Sequence, residues 1–150
     1  MQAATPMTRD VIVAAPELSL DAAWRIMQRR RIRHLPVVSS GALVGILSDR
    51  DVLLRSTVGS KGEVHVPALK VGEVMTPAPV VCDPEFPVGE LARVMTERKI
   101  DALPVVSSSG ALVGLVTSTD LLLLLIDWDE AKPLPFTYRM FGAESPEAVA

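Results

Sequence analysis

An internal repeat constrains this chain more than any other feature of its sequence. The segment Arg31-Ile-Arg-His-Leu-Pro-Val-Val-Ser-Ser returns as Lys99-Ile-Asp-Ala-Leu-Pro-Val-Val-Ser-Ser. The segment Gly-Ala-Leu-Val-Gly that begins at Gly41 returns at Gly110. Self-similarity at a fixed spacing indicates one structural unit used twice. The fold must therefore accommodate two copies of the same unit.

Each unit has the same predicted order of secondary structure, β-α-β-β-α. Apolar runs predict the strands, apolar residues at helical spacing predict the helices, and Ser/Gly clusters predict the turns. The predicted repeats are 5–57 and 73–127, with a linker at 58–72 and a tail at 128–150. The predicted elements are strands at 11–14, 35–38, 43–47, 80–82, 103–106 and 112–116, helices at 19–30, 49–55, 88–98 and 118–127, and one helical turn at 71–75.

The strands are apolar on both faces, so a single unit would leave a hydrophobic sheet surface in water. We therefore expect an α/β (α+β) fold in which the two repeats pack sheet against sheet. The Gly-, Ser- and charge-rich linker is expected to lie outside the core. The tail holds most of the aromatic residues and predicts an extended arm; they are Trp128, Phe136, Tyr138 and Phe141, with Met140 among them.

Composition excludes several classes of protein. The net charge is −3 with both signs mixed along the chain, whereas nucleic-acid binding needs a basic face, so nucleic acid is an unlikely partner. The lone Cys82 cannot form an internal disulfide, and two histidines are poor material for a metal site. The longest apolar run, Leu121–Ile126, is far short of the roughly 20 residues that span a bilayer. With no signal peptide visible at the start, we expect a cytoplasmic protein without a membrane span, metal or cofactor.

A short motif recurs where the last strand of each unit meets its last helix. It reads Gly45-Ile-Leu-Ser-Asp-Arg-Asp51 in the first unit and Gly114-Leu-Val-Thr-Ser-Thr-Asp120 in the second. Exposed amides at a helix start favour a phosphate, and a Ser or Thr hydroxyl adds a hydrogen bond. A carboxylate one turn later can accept hydrogen bonds from the hydroxyls of a ribose.

The same Ser/Thr-x-x-Asp pattern also describes a helix capping box, which contributes about 1 kcal/mol. Capping and ligand binding are compatible in part. The presence of two copies, each after the same Leu-Pro-Val-Val strand, favours a functional role beside the cap.

These motifs together resemble the CBS domain, the repeat of cystathionine β-synthase. The resemblance covers residues 5–127 and rests on the Leu-Pro-Val-Val strand, the Gly-x-x-Ser/Thr-x-x-Asp motif and the opening Met-Thr segments at Met7 and Met75. It implies a pseudo-two-fold pair with two clefts between the sheets, each completed by both repeats. It also implies a homodimer and an adenosine ligand: AMP, ADP or ATP first, with S-adenosylmethionine or a cyclic dinucleotide as further candidates.

The resemblance assigns residues to each cleft. The first cleft is expected to comprise Thr8, Val11, Arg33, His34, Leu35, Pro36, Thr117, Ser118, Thr119 and Asp120. The second is expected to comprise Ser48, Asp49, Arg50, Asp51, Thr76, Val80, Asp101, Ala102, Leu103 and Pro104.

The two clefts are predicted to be unequal. Arg33 and His34 would stand opposite Thr117 in the first cleft, where the second has Asp101 and Ala102. Coulomb attraction then favours phosphates in the first cleft, with Arg50 compensating in part at the second. Alternatively, Arg33 belongs with Arg29–Arg31 to a solvated helix end.

The resulting hypothesis is a stand-alone regulatory module that senses an adenosine ligand and signals to an unknown effector protein. The alternatives are a structural homodimer without nucleotide, and an adaptor that uses Arg25, Arg29–Arg31 and Arg33. An enzyme is not expected, because no activated nucleophile or histidine–carboxylate pair is visible. Elsewhere we predict a buried structural thiol at Cys82, no ligand role for His65, and core or cleft positions for Met7, Met27, Met75 and Met95.

Overall fold

The structure, a computed structural model, describes residues 1–126. The tail predicted at 128–150 and the last residue of the helix predicted at 118–127 lie outside the described residues. The helices and strands, in chain order, are α1 (Leu20–Arg30), β1 (His34–Ser39), β2 (Ala42–Ser48), α2 (Asp49–Arg55), β3 (Thr57–Val58), β4 (Val64–His65), α3 (Val71–Val74), β5 (Thr76–Pro77), α4 (Val88–Arg98), β6 (Ala102–Val106), β7 (Leu112–Thr117) and α5 (Ser118–Ile126).

The central strands of each repeat form an antiparallel hairpin in the same register. Leu35 pairs with Leu47 in the first repeat, and Leu103 pairs with Val116 in the second. Both hairpins carry a bulge at the equivalent place, before Val38 and before Val106. The predicted helices and hairpins of the α/β fold are therefore confirmed, and their shared bulge shows that the two repeats fold alike.

The long helix of each repeat ends in the same way. The first residue beyond α1, Arg31, has φ of 53°, and the first beyond α4, Lys99, has φ of 54°. This left-handed conformation stops the helix and lets its last carbonyls accept hydrogen bonds. At the other end, Ser19 caps α1 by accepting a hydrogen bond from Ala22 N at 3.1 Å.

Two separate hydrophobic cores lie one in each half of the molecule. The first comprises buried Ala14, Leu20, Ala23, Met27, Leu35, Val37, Leu47, Val52 and Val71. The second comprises buried Ala3, Met7, Cys82, Leu91, Met95, Leu103, Val105 and Val116. The predicted burial of Cys82, Met7, Met27 and Met95 is thus confirmed, and Met75 packs partly buried against the first core.

The opening segment of each repeat belongs to the sheet of the other repeat. Thr8 of the first repeat pairs with Leu115 of β7, and Met7 is buried in the second core. In the same way, Thr76 of the second repeat pairs with Ile46 of β2. This reciprocal exchange ties the two halves together.

The strands predicted at 11–14 and 80–82 need correction. The runs at 11–14 and 80–82 form only one parallel bridge each, Ala14 to Val37 and Cys82 to Val105. Pro36 and Pro104 lack the N–H that would donate to residues 12 and 80, so the ladders cannot extend toward the start of these runs.

The expectation that the linker lies outside the core is also wrong. Together with Thr57 the linker forms the small β3–β4 hairpin, and Val66 and Leu69 pack against the first core. Val71, which we placed within the linker, is fully buried there. Alternation of Val64, His65 and Val66 was the available signal for this packing.

Candidate functional site

The motif glycines sit where the exchanged segments cross the hairpins. Gly114 faces Met7 and Thr8, while Gly45 faces Met75 and Thr76. A Cβ on Gly114 would lie 2.5 Å from Met7 Sδ and 3.1 Å from Thr8 O. The glycine therefore permits the close approach of the other repeat, and each cleft opens beside that crossing.

Both motifs form capping boxes at the start of their helices. In the first repeat, Ser48 N donates to Asp51 Oδ2 at 2.8 Å, and Asp51 N donates to Ser48 Oγ at 3.1 Å. In the second, Asp120 Oδ2 accepts from Thr117 N at 2.8 Å and from Thr117 Oγ1 at 3.0 Å. The capping interpretation is thus correct for both copies. It engages one oxygen of each carboxylate; neither Oδ1 has a hydrogen-bond partner among residues 1–126.

The first cleft is a cavity of about 260 Å³ between the two repeats. Seven of the ten predicted residues line it: Thr8, Val11, Arg33, His34, Thr117, Ser118 and Thr119. Sequence reasoning missed Asp10, Ile12, Arg31, Ile32, Asp101 and Leu115 at this cleft.

The second cleft, a cavity of about 510 Å³, lies at the related position. Eight of the ten predicted residues line it: Ser48, Asp49, Arg50, Asp51, Thr76, Val80, Asp101 and Ala102. Sequence reasoning missed Arg33, His34, Ile46, Ala78, Pro79, Lys99 and Ile100 here.

Five predicted residues do not reach a cavity wall. Leu35, Pro36, Leu103 and Pro104 are buried in the hairpin strands, and Leu35 and Leu103 belong to the first and second core. Asp120 does not line the first cavity, whereas its counterpart Asp51, which makes the same cap, lines the second.

Most of the missed residues occupy equivalent positions in the two repeats. The segment Arg31-Ile32 in the first cleft corresponds to Lys99-Ile100 in the second, and Leu115 corresponds to Ile46. Residues 10–12 likewise correspond to residues 78–80. The two cavities are lined by equivalent positions, which is the pseudo-two-fold relationship expressed at the site.

The predicted electrostatic difference between the clefts needs a correction. Arg33, His34 and Asp101 line both cavities, so they do not distinguish one from the other. Arg33 Nε in fact lies 3.4 Å from Asp49 Oδ2, a residue of the second cleft. The Arg33 side chain, which is 67% exposed, lies between the two openings and borders both of them.

His34 is a half-buried imidazole in the wall shared by the two clefts. Burial lowers the pKa of His34 below its ordinary value and outweighs the nearby Asp49 carboxylate, which raises it. The neutral imidazole is therefore favoured at neutral pH. It can both donate and accept a hydrogen bond.

Comparison with known families decides the identity of the repeats. The sequence profile of the CBS domain matches residues 4–57 and 71–127. The chain belongs to the CBS domain family. The second matched range begins at the buried Val71, which agrees with α3 being part of the fold rather than of a loose linker.

Relatives carry this CBS pair in proteins of different size. The chain is 42% identical over 112 residues to an inosine-5′-monophosphate dehydrogenase of Korarchaeum cryptofilum, covering 75% of this chain but only 22% of that protein. It is 34% identical over 134 residues to a CBS domain-containing protein of Dictyostelium discoideum, covering 85% of this chain and 92% of the relative. The chain thus spans about a fifth of the dehydrogenase.

Solved structures share the CBS pair fold. The crystal structure of CBSX2 in complex with AMP is 27% identical, with a TM-score of 0.73, over 85% of this chain and 97% of that one. The CBS domain pair of protein MJ0100, in complex with 5′-methylthioadenosine and S-adenosyl-L-methionine, is 26% identical with a TM-score of 0.72, over 86% and 98%.

Residues 1–126 lack two further features. That part of the chain contains no cluster of three histidine, cysteine or acidic side chains able to hold a metal ion. It also contains no helix long and apolar enough to cross a membrane.

Proposed function

We propose that this CBS pair is a regulatory module that binds an adenosine ligand in the clefts between its repeats. The observation that carries the proposal is the composition of each cleft wall. Hydroxyl groups, basic side chains and an apolar surface from Ile32 or Ile100 meet in one cavity formed by both repeats. Small-molecule sites combine an apolar lining with a few placed polar groups in the same way.

The size of the clefts supports a ligand of nucleotide class. The second cavity, about 510 Å³, lies within the range of about 300–1,000 Å³ usual for ligand pockets, and the first, about 260 Å³, lies just below it. AMP, ADP and ATP are the favoured ligands, and S-adenosylmethionine and cyclic dinucleotides are the further ones to test. The complexes of CBSX2 and MJ0100 with adenosine compounds support this class.

Each polar group has a proposed role. Thr8 and Thr117, or Thr76 and Ser48 in the second cleft, hydrogen-bond the ligand from opposite repeats. Oδ1 of Asp51 and of Asp120 accepts from the ribose hydroxyls while Oδ2 keeps the cap. The case is stronger for Asp51, because it lines its cavity.

Signalling follows from the shared construction of the clefts. A ligand that touches both repeats favours the conformation in which they are held together, and it restricts their relative motion. We propose a non-catalytic role: the motif carboxylates serve as caps, and burial raises the pKa of the Cys82 thiol to about 11, which disfavours the reactive thiolate.

We further propose that the module acts as a homodimer. In α5, Leu122 is 62% exposed and Ile126 is 70% exposed, and Leu54 of α2 is 76% exposed. Such apolar surface on two equivalent helices is typical of a protein interface. Light scattering after size exclusion should give twice the mass of one chain, and Leu54→Glu with Leu122→Glu should give the monomer; a monomeric wild type would refute the dimer and favour an effector surface.

The direct test is a thermal-shift series with AMP, ADP, ATP, S-adenosylmethionine and cyclic di-AMP, with GMP as the control for the base. A ligand at 100 times its Kd adds about 2.7 kcal/mol to stability. For a chain of this size that raises Tm by roughly 5–10 °C. No rise with any adenosine ligand at millimolar concentration would refute the function.

A further inference from the structure

The two clefts share a single guanidinium that has no counterpart in the second repeat. Asp101 occupies the position equivalent to Arg33, and both residues line both cavities. Ser118 is likewise the counterpart of Asp49. The ion pair of Arg33 Nε and Asp49 Oδ2, at 3.4 Å, is therefore a property of the first repeat alone.

A ligand phosphate can replace Asp49 as the partner of Arg33. The Arg33 side chain is 67% exposed and that of Asp49 is 26% exposed. Ion pairs with so much contact with water contribute little to stability. A phosphate, by contrast, accepts two parallel hydrogen bonds from a guanidinium and carries more charge than a carboxylate. A phosphate-bearing ligand can consequently bind Arg33 in place of Asp49, and breaking the ion pair costs little free energy.

The walls of the two clefts differ in what surrounds such a phosphate. The α5 side of the first cleft presents the three hydroxyls of Thr117, Ser118 and Thr119. The α2 side of the second presents Ser48 and Arg50 together with the carboxylates of Asp49 and Asp51, which leaves that side with one excess negative charge. Hydroxyls donate hydrogen bonds to a phosphate, whereas carboxylates repel it. The first cleft is the better phosphate site for this reason, rather than because Arg33 belongs to it.

Removing Arg33 from Asp49 changes the second cleft. With Arg33 present, its wall holds three basic and three acidic side chains. When Arg33 turns to the first cleft, two basic side chains remain against the same three acidic ones; they are Arg50 and Lys99 against Asp49, Asp51 and Asp101. The second cleft then carries a net negative charge at the moment when a second phosphate would enter.

We propose that Arg33 is the specificity-determining residue of the pair and couples its two clefts, an inference that rests on the proposed binding of adenosine ligands. A ligand with a phosphate binds tightly in the first cleft through Arg33 and thereby weakens the second cleft for phosphates. An adenosine ligand without a phosphate leaves Arg33 with Asp49, so its binding in one cleft does not alter the other. Occupancy by charged nucleotides is accordingly limited to one cleft over a wide concentration range.

Calorimetric titration of the full chain with AMP and, separately, with adenosine tests this coupling. For AMP we expect two dissociation constants that differ by about tenfold or more, from the loss of one charge pair. For adenosine we expect the two clefts to bind independently of each other. Arg33→Ala should weaken the tight AMP site to the level of the weak one and leave adenosine unchanged.

Two matched variants complete the experiment. Asp49→Ser introduces the residue that the second repeat has at this position and should tighten the weak AMP site. Arg30→Ala removes the same charge from an exposed residue that lines neither cavity, and it should change nothing. Equal AMP affinities at both clefts, or an equal loss at both in Arg33→Ala, would overturn the coupling alone. Absence of binding by AMP and adenosine alike would overturn the proposed function with it.

Discussion

Thr8 and Leu115 join the two repeats through a pair of backbone hydrogen bonds. Thr8 N donates to Leu115 O at 2.8 Å, and Leu115 N donates to Thr8 O at 3.0 Å. The pair places the exchanged segment directly over Gly114 and beside the first cleft. Because the same residues that hold the repeats together also line the cavity, ligand binding and repeat packing are physically linked.

The first prediction concerns the motif glycines. Gly114→Ala should lower the free energy of unfolding by about 1–3 kcal/mol, because its Cβ would collide with Met7 and with the Thr8 carbonyl. Urea denaturation measures this loss. Gly89→Ala in α4 is the control: a Cβ there meets nothing within 4 Å, so stability should rise by about 0.5–1 kcal/mol. Equal effects of the two substitutions would refute the account of the crossing.

Sequence patterns predicted the repeated helices and hairpins, whereas the placing of Thr8 and Thr76 at the cleft of the other repeat was expected only from the resemblance to CBS domains. The hairpins follow from local signals, because the apolar runs that begin at Leu35 and Leu103 are each followed by a Ser/Gly turn and a second apolar run. The pairing of Thr8 with Leu115 is non-local, and no pattern within either repeat specifies it. The repeat nonetheless carried a usable clue, because the glycine beside each crossing recurs at Gly45 and Gly114.

The cleft residues were predicted in part for a similar reason. Hydroxyls and charges in the motif could be identified from chemistry, but the apolar wall at Ile32 and Ile100 could not be distinguished from core. Arg33 was assigned to one cleft because sequence gives no information on the reach of a side chain. Its contact with Asp49 depends on how the two hairpins are placed in space.

The second prediction separates capping from other roles of the motif. Thr117→Ala removes the acceptor for Asp120 N and should cost about 1 kcal/mol of stability without any ligand present. Thermal or urea unfolding of the purified protein measures the change. Thr119→Ala is the matched control, because this exposed hydroxyl in the same turn makes no hydrogen bond within residues 1–126. A comparable loss in both variants would contradict the assignment of the cap.

The third prediction concerns pH. Burial lowers the folded-state pKa of His34 below its unfolded value, so the unfolded chain binds the proton first as pH falls. Stability should therefore fall as pH decreases through about 6.5, the unfolded pKa of histidine, toward the lower folded value. His34→Gln should show a shallower loss between about pH 7.5 and 5.5. Identical pH profiles of the free energy of unfolding for both proteins would show that His34 is not responsible.

The fourth prediction concerns the reactivity of Cys82. Burial, with a smaller contribution from Asp83, raises the pKa of its thiol to about 11 from 9.0, so the thiolate is about a hundredfold rarer at pH 8. A disulfide reagent should modify the folded protein slowly and the urea-unfolded protein within seconds to minutes. Rapid modification of the folded protein would contradict the burial of Cys82 in the second core.

The central claim is tested most directly by calorimetric titration of AMP into wild type and into the double variant Thr8→Tyr with Thr76→Tyr. These two exposed residues line the first and second cavity respectively, so tyrosine at each position fills a cleft while the backbone pairing is retained. Thr5→Tyr, an exposed residue that lines neither cavity, is the control. We predict that AMP binds to wild type and to the control, and that the double variant, with an unchanged Tm, loses this binding. Undiminished AMP binding by the double variant, or no binding by wild type, would contradict nucleotide binding in these clefts.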